Sequence, residues 1–345
     1  MIKVAFFGLE GWEKEYYQNR GIFTKLAIEP VFVDDIITAD KLPSPAVKEM
    51  EIISVFVDSQ VNVAVLEQLP KLKYIVTRST GFDHIDLPAC EARGVAVSTV
   101  PDYGEITVAE YAFALMLSLS RKTYEAFDRI RETGVYSPEG LKGFDLYGKT
   151  LGIVGTGRIG KHVAKIAKGF GMKILAYDIY PNDEAATALG FVYVPRDDLL
   201  RQSDIVTLHV PYMPANHHLI NEEKLALMKP GAYLINTARG PLVDTQALVK
   251  ALKEGKIAGA GLDVLEEEGV VKDEFGYLMK KREESEADLK AVIANHILFD
   301  LPNVIITPHN AFNTQEALER ILETTAKNIG EYLKGAPINT VKSKK

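Results

Sequence analysis

The sequence predicts an α/β protein with two doubly wound parallel-sheet domains, on three observations. Its 345 residues exceed one ordinary domain and fit two. Short apolar runs alternate with helical stretches along most of the chain, the rhythm of parallel strands joined by crossover helices. Thr150–Asp178 reads strand, glycine-rich turn, helix, strand, a unit around which one such sheet can be wound. The expected boundaries are 1–102 plus 313–345 for a discontinuous first domain, and 103–312 for the second.

Taken in order, the candidate strands of the first domain are Ile2–Phe7, Val31–Val33, Ile52–Val57, Tyr74–Thr77 and Val95–Ser98. Helices fit between them at Val61–Leu69 and Asp86–Arg93. Tyr103 to about Arg131 reads as one long helix, apolar around so much of its surface that burial on several sides is expected. It could link the domains and face a partner subunit. Gly134–Gly148 is punctuated like a loop. Beyond Asp178, strands are expected at Ile205–Leu208, Ala232–Asn236, Gly259–Leu262 and Val304–Ile306, with helices at Leu225–Met228 and Ala247–Lys253. Residues 266–302 are rich in charge and read as a solvated excursion with one helix. Residues 314–334 form a last amphipathic helix, expected to cross back onto the first domain.

Composition narrows the class. A net charge of −7 argues against nucleic acid or an anionic membrane as the main partner. Cys90 is the sole cysteine, so no internal disulfide can form, which suits a reducing compartment. Met1–Trp12 lacks the length and cleavage pattern of a secretion signal, and Tyr111–Leu119 is too short to span a bilayer. A cytoplasmic location follows as an expectation.

Within Thr150–Asp178, Gly155, Gly157 and Gly160 fall in the G-x-G-x-x-G pattern. The first permits the tight turn, the second lets backbone approach a pyrophosphate, and the third lets helix and strand pack closely. The helix starts near Arg158, so its unpaired N–H groups and positive dipole end face the phosphates. Asp178 lies about 20 residues past the glycines, where a carboxylate accepts hydrogen bonds from the adenosine ribose and repels a 2′-phosphate. Ile179 and Tyr180 follow it, with no arginine. The predicted cofactor is NAD rather than NADP. After the first strand, Gly8-Leu9-Glu10-Gly11 has the wrong spacing, so the first domain is not expected to hold the dinucleotide.

Three further segments leave predicted strands: Asn236–Gly240, Gly261–Glu268 and Thr307–Phe312. Ligands bind outside the C-terminal strand ends of open α/β sheets, so an arginine, a glutamate and a histidine would converge there. That set suits hydride exchange with a 2-hydroxy acid. Arg239 offers a two-pronged donor for a carboxylate, and His309 a proton donor and acceptor that works near neutrality. An acid beside the imidazole orients it and favours its protonated form. Glu268 can serve, but on the residues alone Glu266 and Glu267 are equally placed. No metal is required. Taken singly, each residue also fits a plain structural part, a turn histidine or a surface ion pair.

The segments RSTGFDHID (78–86), VPDYGEITVAEYAFALML (100–117), GIVGTGRIGKHVA (152–164), AYDIYPN (176–182), SDIVTLHVPYMPANHHLIN (203–221), MKPGAYLINTARGPLVDTQAL (228–248), AGLDVLEEE (260–268) and NVIITPHNAF (303–312) resemble the D-isomer-specific 2-hydroxyacid dehydrogenases, D-lactate dehydrogenases above all, over nearly the whole chain. The resemblance implies a flavodoxin-like substrate domain and a Rossmann NAD domain with a cleft between them, and a homodimer built largely on the long helix after Tyr103. It implies Arg239, Glu268 and His309 as the catalytic trio, selecting Glu268 among the three acids. It implies NAD contacts from Arg158, Ile159, Asp178, Val210, Pro211, Asn216, Thr237, Ala238 and Asp263, beside the glycines. Backbone N–H groups at Thr80 and Gly81 would form a nest for the substrate carboxylate, with Tyr103 and Phe312 lining the side-chain pocket. The chain departs from the resemblance at Asp58, Tyr111 and Asn313, and an acid at Asp58 suits an anionic substrate only if it points away or pairs with Arg78. The expected substrate is a small 2-keto or 2-hydroxy acid such as pyruvate. The alternatives are a glyoxylate/hydroxypyruvate reductase and a non-catalytic NAD-sensing binding protein.

Overall fold

The computed structural model describes residues 1–39, 45–268 and 286–343. They divide into two compact units, Met1–Tyr103 with Thr314–Lys345, and Gly104–Asn313.

The first unit opens with β1 (Ile2–Phe7), α1 (Gly11–Asn19), α2 (Ile22–Leu26) and β2 (Ile28–Val33), then β3 (Ile52–Val55), α3 (Val63–Glu67), β4 (Tyr74–Thr77), α4 (Leu87–Ala92) and β5 (Ala96–Ser98). The central strands β3 and β4 are buried along their whole length, which is why they read as near-continuous apolar runs, with only Ser54 and Thr77 polar, rather than alternating ones. Asp86 starts α4 by accepting the Ala89 N–H at 2.9 Å, with a proline in the first turn.

The second unit runs α5 (Glu105–Arg121), α6 (Thr123–Thr133), β6 (Thr150–Val154), α7 (Arg158–Gly169), β7 (Lys173–Tyr177), α8 (Asp183–Leu189), β8 (Val192–Tyr193), α9 (Arg196–Gln202), β9 (Ile205–Leu208), α10 (Glu222–Leu227), β10 (Tyr233–Asn236), α11 (Thr245–Lys253), β11 (Gly259–Leu262), α12 (Glu286–Asp300) and β12 (Val304–Ile306). The chain then returns to the first unit as α13 (Gln315–Leu333) and β13 (Thr340–Val341). Leu322, Ala326 and Ile329 of α13 join the core formed by β1, β3 and β4.

The sheets order as β13-β5-β4-β3-β1-β2 and β12-β11-β10-β9-β6-β7-β8. Each reverses direction of winding beside its first strand, the doubly wound pattern. All pairs are parallel except β13, which closes one edge antiparallel to β5, an addition the sequence reading did not anticipate.

Two expectations are corrected. The single helix from Tyr103 to about Arg131 is two helices, because Lys122 takes a left-handed φ of 51° between them. The Ser120 carbonyl there accepts the Phe144 N–H at 2.9 Å, and Gly143 lies so close to that carbonyl that a Cβ would overlap it. The charged stretch 266–302 is not all solvated surface. Its residues 269–285 lie outside those described, but α12 buries Ala294 and Leu298 in the core.

Candidate active site

β10, β11 and β12 lie side by side in parallel, so the segments leaving their C-terminal ends meet at one edge of the second unit. Asp263 joins all three. Its N–H donates to Asn236 O at 2.9 Å, and its carbonyl accepts the His309 N–H at 2.8 Å. Its carboxylate accepts Thr307 Oγ1 at 2.5 Å and the N–H groups of Asn310 and Ala311 at 2.8 Å each. Burial pushes this carboxyl above the usual range, and those donors draw it back. Its carboxylate is therefore engaged in shaping the histidine turn.

On that turn His309 adopts φ 51°, and its Nδ1 meets Glu268 Oε2 at 2.9 Å. The other carboxylate oxygen of Glu268 accepts the Leu265 N–H at 3.1 Å, which fixes the acid's orientation. Glu266 turns another way: Oε1 meets His218 Nε2 at 2.6 Å, and Oε2 accepts the N–H and hydroxyl of Thr245 at 3.0 and 2.5 Å. An imidazole held through Nδ1 presents Nε2 as the nitrogen that can trade a proton. Phe312 packs edge-on to His309, with ring centroids 6.4 Å apart.

Arg239 is half-buried beyond β10. Asn236 sets its loop, accepting the Ala238 N–H at 3.0 Å and donating to Arg239 O at 2.8 Å. The next residue, Gly240, lies against the Leu265 carbonyl with no room for a Cβ. The arginine loop is thus packed against the segment that carries Glu268.

The glycine turn follows β6. Gly155 has φ 97°, and a Cβ on it would come within 2.6 Å of His209 O. A Cβ on Gly160 would overlap the Gly155 carbonyl, whereas one on Gly157 would meet nothing within 4 Å. Gly157 is the N-cap of α7 and supplies no capping side chain, so the first N–H groups of that helix face open space suited to an anion. Arg158 pairs with Glu105 at 3.2 Å, and Ile159 packs on the core. Asp178 accepts Thr156 N at 2.6 Å and Thr156 Oγ1 at 3.1 Å through one oxygen, and Tyr180 N at 2.9 Å through the other. Farther along the sheet edge, Asn216 spans Pro211 O and Met213 N at 2.8 and 2.7 Å, beside Val210. Thr237, next to Ala238, has a buried hydroxyl with no partner. Such an orphan is rare in a folded interior, and a bound ligand group would satisfy it. The open space at Gly157 and this orphan fit a dinucleotide.

In the first unit, Thr80 Oγ1 donates to Val100 O at 2.8 Å and Ser79 Oγ to Gly81 O at 2.6 Å. Among the described residues the N–H groups of Thr80 and Gly81 have no acceptor. Tyr103 gives its carbonyl to Arg320 Nε at 2.8 Å. Of the two arrangements open to Asp58, pairing with Arg78 is not the one formed. Arg78 is 2% exposed and donates to Phe7 O, Gly8 O, Ser54 O and Ser54 Oγ, while Asp58 is exposed.

Sequence reasoning passed over Thr156, Tyr193, His209 and the His218–Glu266–Thr245 group. Thr156 stands between two fingerprint glycines and was findable. Tyr193 sits on a two-residue strand with no pattern to mark it, yet its hydroxyl meets Thr156 Oγ1 at 2.7 Å and accepts Asn182 N at 3.0 Å.

The chain matches known proteins throughout. The sequence model for the NAD-binding domain of D-isomer specific 2-hydroxyacid dehydrogenases matches residues 113–311. A D-lactate dehydrogenase of Escherichia coli K12 is 39% identical over 337 residues, 97% of this chain and 98% of that one. A glyoxylate reductase of Thermococcus litoralis is 42% identical over 296 residues, 84% and 82% of the two chains. Among solved structures, a D-lactate dehydrogenase from Aquifex aeolicus complexed with NAD and lactic acid superposes with a TM-score of 0.82 at 39% identity, covering 96% of each chain.

Proposed function

Because the chain belongs to the D-isomer specific 2-hydroxyacid dehydrogenase family, we propose that it reduces pyruvate, or a 2-keto acid close to it, reversibly with NADH. The observation that carries this reading is the 2.9 Å contact of His309 Nδ1 with Glu268 Oε2, beside the Arg239 loop. Bound NADH supplies the hydride. The guanidinium of Arg239 holds the substrate carboxylate and draws electron density from the keto oxygen. His309 gives that oxygen a proton from Nε2 in reduction and takes it back in oxidation. Glu268 holds the ring in place and favours its charged form.

For the cofactor, the α7 N-terminus with Gly155, Gly157, Arg158, Ile159 and Gly160 takes the pyrophosphate. Asp178 takes the adenosine ribose, and Val210, Pro211, Asn216, Thr237, Ala238 and Asp263 line the rest. For the substrate, the open N–H groups of Thr80 and Gly81 in the first unit suit a carboxylate, and in the second unit Phe312 stands beside His309. A second reading, glyoxylate reduction, is favoured by the 42% identity to a glyoxylate reductase.

The pure protein with NADH and a panel of 2-keto acids, pyruvate and glyoxylate included, tests both readings. We expect the highest kcat/KM with pyruvate. A higher value with glyoxylate selects the second reading, and no NADH oxidation with any member sinks both. His309→Ala should lower kcat at least about a hundredfold.

We assign the chain to a homodimer. α6 presents Tyr124, Phe127 and Ile130, 60%, 61% and 49% exposed, at helical spacing, an apolar stripe that a second copy would cover. Light scattering at the mass of one chain excludes the dimer. No helix among the described residues is long and apolar enough to cross a membrane. The single buried Cys90, its thiol pushed up to about 11 by burial, suits a cytoplasmic location.

A further inference from the structure

We propose a second binding site in the NAD-binding unit, a divalent transition-metal site formed by His217, His218 and Glu266, whose occupancy restrains the proton-transfer pair. These three side chains offer one ligand atom each, all within 4.8 Å of one another. The backbone builds the arrangement. His218 N donates to Pro241 O at 2.9 Å, Ile220 N to Leu242 O at 2.9 Å, and Asp244 N to Ile220 O at 3.0 Å, so the histidine segment is tied to the stretch that follows Arg239. Adjacent side chains of an extended segment point to opposite sides. His218 breaks that alternation with a left-handed φ of 50°, and the two imidazoles stack 3.8 Å apart at 23°.

The surroundings are those of ligands already oriented. Glu266 Oε1 meets His218 Nε2 at 2.6 Å, while Thr245 N and Oγ1 hold its other oxygen. Asp244 Oδ2 stands 3.9 Å from His218 Nδ1, a short move from the carboxylate–imidazole contact that supports a metal-bound histidine. Two imidazole nitrogens and one carboxylate oxygen suit Zn²⁺, Co²⁺, Ni²⁺ or Cu²⁺, and disfavour Mg²⁺ and Ca²⁺. The ion takes the place between His218 Nε2 and Glu266 that a hydrogen bond now fills, and the neutral imidazole carries its one N–H on Nδ1, on the side of Asp244.

Occupancy has a mechanical consequence. Metal–ligand bonds of about 2.0–2.1 Å in tetrahedral geometry set ligand atoms about 3.3 Å apart, so Glu266 and His218 must separate from their present contact. Leu265, the residue before Glu266, supplies the N–H that holds Glu268, and its carbonyl lies against Gly240 with no slack. A shift of Glu266 therefore displaces both Glu268 and the Arg239 loop, and activity falls. This consequence rests on the function proposed above, whereas the site itself does not.

Co²⁺ titrated into the metal-free, full-length protein reads the site directly, through the visible absorption of four-coordinate Co²⁺. We expect saturable bands that Zn²⁺ abolishes. His217 is exposed and has no part in the proposed cofactor or substrate binding, so His217→Ala should fold and turn over as the parent does. Its Co²⁺ uptake should be at least about tenfold weaker, since even loss of an outer partner of a metal ligand costs 10- to 100-fold. Zn²⁺ should lower kcat in the parent and not in His217→Ala. No bands, or equal uptake by His217→Ala, overturns the site. Equal inhibition of both proteins, with uptake lost in the variant, overturns the coupling alone.

Discussion

In the first unit β1 runs into Gly8 and then α1; in the second β6 runs into Gly155 and then α7. Both glycines take positive φ, 59° and 97°, and both helices start at the C-terminal edge of a parallel sheet. The space ahead of the helix differs. At α1 the chain supplies its own anion: Glu13, 9% exposed, accepts the Glu10 N–H at 2.7 Å. Arg78 reaches under the same turn to Phe7 O at 2.8 Å and Gly8 O at 3.3 Å. Burial pushes the Glu13 carboxyl up, and the Arg78 guanidinium draws it back. At α7 no side chain caps the helix, and the space over Gly157 is open. One scaffold thus gives a closed turn and an anion-ready one, and a few local side chains decide which.

The comparison breaks first at Arg78. Arg78→Met removes a buried cation and leaves the Glu13 carboxylate without its counter-charge, a change expected to cost about 3–5 kcal/mol. Urea unfolding measures it. Adding Glu13→Gln should recover part of the loss; a further loss instead would show that the two charges do not support each other. Gly157→Asp comes next and makes the second turn resemble the first. The helix gains a capping carboxylate, the fold persists because a Cβ there meets nothing, and NAD binding weakens by roughly a hundredfold, about 2.7 kcal/mol. Calorimetric titration of NADH reads this, and an unchanged Kd would show that the phosphates lie elsewhere.

Much of this contrast was legible in the sequence, because glycine spacing is a local signal. The fingerprint at Gly155–Gly160 and its absence at Gly8–Gly11 were both readable, as were the bounds of β1, β4, β9, β11 and β12, whose apolar runs carry them without help. The strand-end positions of Arg239, Glu268 and His309 were readable for the same reason. What depends on distant residues was not. Arg78 figured only as an alternative partner for nearby Asp58, but its acceptors are the end of β1, the glycine after it, and Ser54 of β3. The break at Lys122 depends on the Phe144 N–H, and nothing in Thr123–Arg131 announces it. On the residues alone Glu266 and Glu268 are alike; the resemblance singled out Glu268, and His218, Thr245 and His309 give the physical sorting after folding.

A smaller effect concerns the group beneath each turn. In the first unit it is the charged Arg78; in the second it is His209, whose backbone carbonyl backs Gly155. His209 is half-buried, yet its Nδ1 is sealed from solvent without a partner, and burial pushes the imidazole down to about 3. An unfolded histidine takes up a proton below about pH 6.5, and the folded one does not until the pH nears 3. The stability contributed by a neutral His209 is therefore complete above about pH 6.5 and lost as pH falls below it. The loss is no more than about 1.4 kcal/mol between roughly pH 7.5 and 5.5. Urea unfolding at those two values measures it, and His209→Gln should flatten the difference; an equal slope in the variant would assign the acid sensitivity to other groups.

The finest distinction is how each turn holds its acid. Glu13 is held by the backbone and a guanidinium. Asp178 is held by Thr156, and Thr156 Oγ1 is held in turn by the Tyr193 hydroxyl at 2.7 Å. Tyr193→Phe keeps the ring and its edge-on packing with Phe191 but removes that hydroxyl. The Thr156 side chain then loses one of its two partners, and Asn182 N loses its acceptor. The expected cost is about 1 kcal/mol, roughly a fivefold rise in the Kd for NADH, with kcat and the keto-acid KM at saturating NADH unchanged because His309, Glu268 and Arg239 lie beyond other strands. If NADH affinity does not move, the N–H groups of Thr156 and Tyr180 alone suffice to place Asp178. The second turn would then hold its carboxylate through the backbone, as the first turn holds Glu13.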